Sequence, residues 1–411
     1  MTIAALRRRV WFRLALFTVG AVLLALLAGV VGSRLGGLVS LDLGQGSVQT
    51  LLQILATSML AVTTFSLTVM VSVYASAAAV ATPRATQLLI EDQTSQQALS
   101  TFLGAFVFAI VGIAALSTDY YGDDGRIVLY AGTLVVVASV VVTLLRWIQH
   151  LVAFGRMADV VDRVEDAACA TVGAAARRPR LGGAAAVAIP AGAWPVLAER
   201  AGVVTHVDIV ALDAAAERAG GAVHVLARAG APVARGEALA RVSAAHDDAV
   251  ADEVRAAFTV ARHRTYDQDP RLGLVALGEI GSRALSPSTN DPGTAVEVLN
   301  AIQRVLTEHL CAQVEGGVDH PRVHVPEVDF ADLVEDGIRP IARDGAHLVE
   351  VALRVQRALG GLARVADAEA AATLRRASER AERRALAALS DPRDVALAKD
   401  AAAAARGERR A

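Results

Sequence analysis

Between Asp42 and Arg84 the chain carries no charged residue. A helix needs about 20 largely apolar residues to cross roughly 30 Å of hydrocarbon. This stretch therefore holds a span, within Leu51–Ala81, that is longer than a bilayer is thick, so tilt or projection beyond the membrane follows. Three more segments qualify: Leu14–Val31, Ala98–Thr118 and Ile127–Leu145. The first follows Arg7, Arg8, Arg9 and Arg13 and is similar to a secretory signal, but with three spans behind it a retained anchor is the better reading. The apolar runs are continuous and do not alternate, which argues against an outer-membrane barrel.

Charge divides the chain in the same place. Residues 1–150 hold 8 of the 40 basic and 6 of the 42 acidic residues, leaving 32 and 36 for the remainder. The predicted architecture is an α-helical multi-pass membrane domain of four spans, followed by a cytoplasmic α+β domain, mostly helical with a small β module. A net charge of −2 without a basic face gives no case for nucleic acid. The only lysine is Lys399, which argues against Schiff-base, lipoyl-carrier and P-loop chemistry. Cys169 and Cys311 are too few for a disulfide framework or a thiolate metal site.

Orientation follows from the arginines. The basic amino terminus, Arg84, Arg146 and Arg156 flank one side of the spans, and the acidic loop from Asp119 to Asp124 lies on the other. Both termini are therefore expected in the cytoplasm, with the bilayer in question the inner membrane. Trp11, Tyr120, Tyr121 and Trp147 stand at span ends, where amphipathic rings favour the headgroup zone. The spans as read contain no intramembrane carboxylate or histidine, an argument against a proton-coupled carrier.

The second span has a distinctive face. At 100° per residue, Thr50, Thr57, Thr64, Thr68, Ser72 and Ser76 share an arc of roughly 120° with Ala61, Ala75 and Ala79. Such a face suits close helix packing, in which small residues let backbones approach. It also suits a water-lined path built from several copies in a homo-oligomer. Packing is favoured, because no charge accompanies the stripe.

The expected domains are the membrane part at 1–150, a connecting helix and Gly/Ala/Pro linker at 151–195, a β-rich module at 196–245, a helical domain at 246–366 and an Ala/Arg/Glu tail at 367–411. The module contains a G-x-P-V-x-x-G-E-x-L turn, Gly230 to Leu239, which is similar to that of small barrel-sandwich carrier domains. It lacks their lysine, so a packing or protein-contact role is expected. Asp247–His263 reads as one helix. Asp269-Pro270 and Asp291-Pro292 each place a capping carboxylate before a first-turn proline, starting helices over Arg271–Leu285 and Gly293–Leu310. The tail reads as helical, fraying after Ser390-Asp391-Pro392.

Four sequence blocks carry a family likeness: Thr82-Pro83-Arg84; Thr101-Phe102-Leu103-Gly104-Ala105-Phe106; Arg264-Thr265-Tyr266-Asp267-Gln268-Asp269; and Arg283-Ala284-Leu285-Ser286-Pro287 with Asn290-Asp291-Pro292-Gly293-Thr294-Ala295. The chain resembles the predicted bacterial membrane proteins of domain-of-unknown-function family 2254, over essentially Arg7 to Ala366. The resemblance implies a cytoplasmic-membrane protein and no particular activity.

No G-x-S-x-G, G-x-x-x-x-G-K or H-E-x-x-H motif is present, so no catalytic residue, metal or cofactor is expected. The candidate site is the group Arg264, Asp267 and Asp269 with the loop from Arg283 through Asn290, Asp291, Gly293 and Thr294. One reading is an anion site, because a helix amino terminus beside an arginine can hold an anion. The favoured reading is a corner locked by ion pairs and caps. The second candidate is the face of Thr57, Thr64, Thr68, Ser72 and Ser76, as pore or packing surface. Three function classes remain: a gated or scaffolded homo-oligomer that conducts a solute, a sensor or scaffold that does not conduct and binds a cytoplasmic protein, and an unrecognised membrane enzyme.

The orientation is testable by impermeant thiol labelling of intact cells. Asp123→Cys is expected to react from outside and Glu297→Cys to be protected; the reverse pattern would overturn the assignment.

Overall fold

The computed structural model describes residues 45–80, 82–90, 92–117, 123–153 and 156–408, with isolated positions before 45. Most of the first expected span lies outside the described residues, as does most of the acidic loop at 119–124. The chain divides into two units, an apolar one and an α/β one; the short segment Val80–Ala85 belongs with the latter.

The apolar unit contains three helices long and apolar enough to cross a membrane: α1 (Gln45–Val80), α3 (Gln93–Ser117) and α4 (Asp123–Ala153), with the short α2 (Pro83–Ile90) after α1. At 1.5 Å per residue the 36 residues of α1 extend about 54 Å, longer than hydrocarbon is thick. Its core buries Leu52, Leu55, Met59 and Met70 with Phe102, Phe108, Leu129 and Trp147. Gly112 on α3 leaves room for Leu52, whose methyl lies 3.0 Å from where a Cβ would stand. Several polar groups within this core are paired, although the buried Ser95 hydroxyl has no partner among the described residues. Trp147 Nε1 donates to Ser66 Oγ at 3.0 Å, joining α4 to α1. Asp92, whose side chain is 5% exposed, sits 3.0 Å from His150 Nε2 and accepts the Ser95 N–H at 2.7 Å, capping α3. Asp92 precedes the span read from Ala98, and His150 follows the one read to Leu145, although the apolar stretch of α4 runs on to Leu151 and so includes it.

The α/β unit opens with α5 (Met157–Arg177) and continues through β1 (Gly183–Ala185), β2 (Trp194–Leu197), β3 (Gly202–Val207), α6 (Ile209–Ala219), β4 (Ala222–Val225), β5 (Pro232–Val233), β6 (Ala238–Ser243), α7 (Asp248–Ala256) and β7 (Phe258–Ala261). There follow α8 (Leu272–Ala284), α9 (Pro292–Cys311), β8 (His320–Val325), α10 (Phe330–Asp344), α11 (Val349–Ala363), α12 (Ala368–Ala388) and α13 (Pro392–Ala405). One sheet has the order β1-β8-β4-β6-β2, with β8 parallel to both neighbours and the other pairs antiparallel. A second has the antiparallel order β5-β3-β7. Val204, Leu212, Val223, Leu239, Val242, Val254 and Val323 form their shared core.

Three local expectations change. The stretch read as a linker contributes β1 and the start of β2, because even short apolar segments add strands when a neighbour offers unpaired backbone. The helix expected over Asp247–His263 stops at Ala256, and Phe258 and Val260 then alternate inward with Thr259 outward along β3. Period two, not 3.6, governs there. The tail does not fray after Asp391: that carboxylate accepts the Arg393 and Asp394 N–H groups, and Pro392 opens α13. Five other helices of this unit, α6, α7, α9, α10 and α12, begin on a capping aspartate in the same way.

The helices pack closely through small residues on α8. A Cβ built on Gly273 would lie 2.3 Å from Ala168 Cβ on α5, and one on Gly278 would lie 2.6 Å from the Asp336 carbonyl oxygen on α10. Further along, Gln356 and Ser378, both buried, exchange hydrogen bonds of 2.6 and 3.0 Å between α11 and α12. Gly278→Val is expected to destabilise the unit by roughly 1–3 kcal/mol through overpacking against backbone, read by denaturant titration. Gly192→Ala, at a position with open space around it, is the control and should leave the midpoint unchanged.

Candidate functional site

The family-like block Arg264–Asp269 lies between β7 and α8, and most of its side chains have a defined partner. Arg264 grips Asp269 with two hydrogen bonds, Nε to Oδ2 at 2.6 Å and Nη2 to Oδ1 at 2.9 Å. The Asp269 side chain is 1% exposed. It also accepts the Arg271 N–H at 3.1 Å, but α8 begins at Leu272 with Arg271 as its N-cap and no side-chain cap. Asp269 is therefore held by Arg264 and does not cap the helix as the sequence suggested, and Pro270 precedes its first turn. Gly230, at φ +92°, lies against it: a Cβ there would come within 2.6 Å of Asp269 Oδ2. Gln268 takes both backbone groups of Val207 at the end of β3, accepting at 2.9 Å and donating at 3.3 Å. Arg271 continues the network to Asp336 at 2.6 Å and Asp332 at 2.5 Å on α10. Asp267 is exposed and stands apart from the pair.

Tyr266 connects this block to another. Its hydroxyl donates to the Arg84 carbonyl at 3.1 Å, and the Arg84 side chain pairs with Glu279 on α8. Burial, then the nearby Glu279 charge, pushes the Tyr266 phenol far above its ordinary range. Thr82-Pro83-Arg84 and Arg264–Asp269, distant in sequence, therefore meet in one corner of the α/β unit. The sequence displayed both blocks but gave no sign of their meeting.

The loop between α8 and α9 is closed by its own groups. The N–H groups of Thr289 and Asn290 donate to the Ser286 carbonyl at 3.0 and 2.8 Å, and Asp291 N–H donates to Ala284 O at 2.8 Å. Asn290 adopts φ +48°, a left-handed conformation that asparagine tolerates better than most residues. Asp291 accepts the Thr294 N–H at 3.0 Å and the Thr294 hydroxyl at 2.6 Å. These bonds, with a weaker one from the Gly293 N–H, hold its carboxyl below the usual carboxylate range. An internal carboxylate thus stands where an external anion would bind at the start of α9. Arg283 is exposed at the last turn of α8.

A family model described as predicted membrane protein (DUF2254) matches residues 7–360. The chain belongs to this family. The DUF2254 match spans both units and stops within α11, so α12 and α13 lie beyond it. No curated protein and no solved structure matches the chain.

The histidines of this DUF2254 protein are placed by packing. His224 and His324 are cross-strand partners on β4 and β8, with rings stacked 4.8 Å apart. Burial and then the His324 charge depress the His224 pKa. His320 lies 3.4 Å from Asp213, and His246 stacks on Trp194 at 4.7 Å.

Substitutions at two positions separate the corner's parts. Asp291→Ala is expected to cost about 1 kcal/mol through the lost cap, while Asp291→Asn is tolerated because Asn also caps. Because the folded carboxyl is depressed, its stabilisation is present above an unfolded value of about 4 and lost as pH falls through the folded one. Asp269→Ala is expected to cost about 1.5–3 kcal/mol, the range for a hydrogen bond to a charged group. Chemical unfolding at pH 7 and pH 3 checks both; an Asp269→Ala protein as stable as wild type would remove the pair from its structural role.

Proposed function

We propose that this DUF2254 protein is a multi-pass protein of the inner membrane, with both termini cytoplasmic, that assembles as a homo-oligomer through the hydroxyl-bearing face of α1. Its α/β unit scaffolds or gates that assembly. The observation that carries the reading is the state of the face itself. Thr57, Thr64, Thr68, Ser72 and Ser76 are all exposed, while the opposite side of α1 is buried in the apolar unit. Thr64 Oγ1 donates to Leu60 O at 2.9 Å and Thr68 Oγ1 to Thr64 O at 3.0 Å; Thr57 bonds Gln53 O in the same way. With their protons already placed on the helix's own carbonyls, these hydroxyls do not require water. Together with Ala61 and Ala75 they leave low ground between the exposed Ile54 and Phe65 side chains of the same arc, onto which another helix can approach.

The link to the α/β unit is covalent and short. The segment Val80–Ala85 follows α1 directly and is held by Tyr266 and Glu279. A change at that corner has a direct route to the helix that carries the proposed contact surface.

Disulfide trapping in native membranes tests the proposal in a chain with Cys169 and Cys311 replaced. Thr64→Cys, Thr68→Cys and Ser72→Cys are expected to give crosslinked pairs of chains, and Met70→Cys, buried at 7% exposure, none. Only monomers at all three positions would overturn the assembly. Modification of the same thiols by small charged reagents, which attack hydrated thiolate, would favour a conducting path over dry packing.

A further inference from the structure

A groove of about 380 Å³ lies between α9 and α11, lined by Asn300, Gln303, Arg304, Thr307, Cys311 and, from α11, Arg354. The α9 residues recur at intervals of three and four and so share one helical face. The volume is within the range of small-ligand sites. Arg354 is distinguished by its partners. Many arginines of the unit meet carboxylates, as Arg264 does Asp269, Arg271 does Asp336, Arg304 does Glu165 and Arg406 does Glu382, while Arg200, Arg228 and Arg241 donate to backbone carbonyls. Arg354 instead donates Nε to Asn300 Oδ1 and Nη2 to Gln303 Oε1, each at 2.6 Å. These are neutral amide oxygens, so the guanidinium is fixed in position and its charge is left unanswered. The Gln303 amide needs Gly361 to do this, since a Cβ there would stand 2.6 Å from Gln303 Nε2.

We propose that this groove binds a small oxyanion, the phosphate or carboxylate group of a free solute, with Arg354 supplying the charge. A fixed guanidinium fork matches either group in two-point geometry. Its amide holders also leave Nη1 without a hydrogen bond among the described residues. The field around Arg354 is positive: burial, then Arg357 and Arg304, lower its pKa from the ordinary arginine value. An anion entering the groove relieves that repulsion. The other charge at the groove, Glu308, is turned to Arg177 at 3.3 Å.

Isothermal titration of the detergent-purified full chain with inorganic phosphate and, separately, with acetate tests the site and tells the two chemistries apart. Saturable one-to-one binding of at least one is expected. Arg354→Gln should weaken it by about ten-fold or more, the loss of one charge-assisted hydrogen bond, while the exposed Arg357→Gln should change it far less. Thr307→Glu, which puts a better helix former in place of a β-branched residue and adds a negative charge to the groove, should weaken it similarly and covers the case in which Arg354→Gln fails to fold. Absence of saturable binding of both probes, or binding indifferent to Arg354→Gln or, where that variant does not fold, to Thr307→Glu, overturns the proposal.

Discussion

Hydrocarbon offers no hydrogen-bond partner, and every polar group placed in it has to be bonded within the protein. In the apolar unit this requirement selects helices, whose backbones satisfy themselves. It also accounts for the threonines of α1, which return their hydroxyls to carbonyls one turn earlier. The same requirement accounts for the pairing of Trp147 with Ser66, and of Asp92 with His150 and the start of α3. What such a unit leaves on its surface is shape. On α1 the hydroxyl-bearing arc also carries the exposed side chains of Ile54 and Phe65 among its small residues, and Val71 stands beside it.

The α/β unit is governed by a different economy, in which carboxylates start helices and arginines join elements. Asp269 joins elements, holding Arg264 through two hydrogen bonds and accepting the Arg271 N–H just ahead of α8. Around it the chain brings together three segments: the Gly230 turn, the Arg264–Asp269 block and, through Tyr266, the Arg84 segment that follows α1. Two of the four family blocks, Thr82–Arg84 and Arg264–Asp269, therefore build this junction, and the charged side chains Arg84, Arg264 and Asp269 are paired there.

How much of this could be read from the sequence depended on the range of the interaction. The apolar helices at Leu51–Ala81, Ala98–Thr118 and Ile127–Leu145, and the start at Asp291-Pro292, rest on local hydropathy and capping, and the structure has helices there. The strand at Phe258–Ala261 was hidden because four residues cannot distinguish the two periods without knowledge of β3 beside them. Asp391-Pro392 carried the same start signal as Asp291-Pro292, but the alanine-rich composition around it masked a helix that buries Ala398 and Ala402. At the candidate site the partners of Arg264 and Asp291 are local and legible. Those of Tyr266 and Arg354 lie on other elements, and Arg354 stands out only once its neighbours are known to be amides.

The central claim is that the exposed hydroxyl face of α1 is where copies of the chain meet. The particle mass of the full chain, extracted in mild detergent and measured beside an Ala75→Leu variant, bears on it most directly. Close packing predicts a symmetric oligomer of integral chain number for the wild type and its dissociation toward single chains when added methylenes hold the helices apart. A wild-type particle of one chain, or an oligomer that Ala75→Leu leaves intact, would contradict the account.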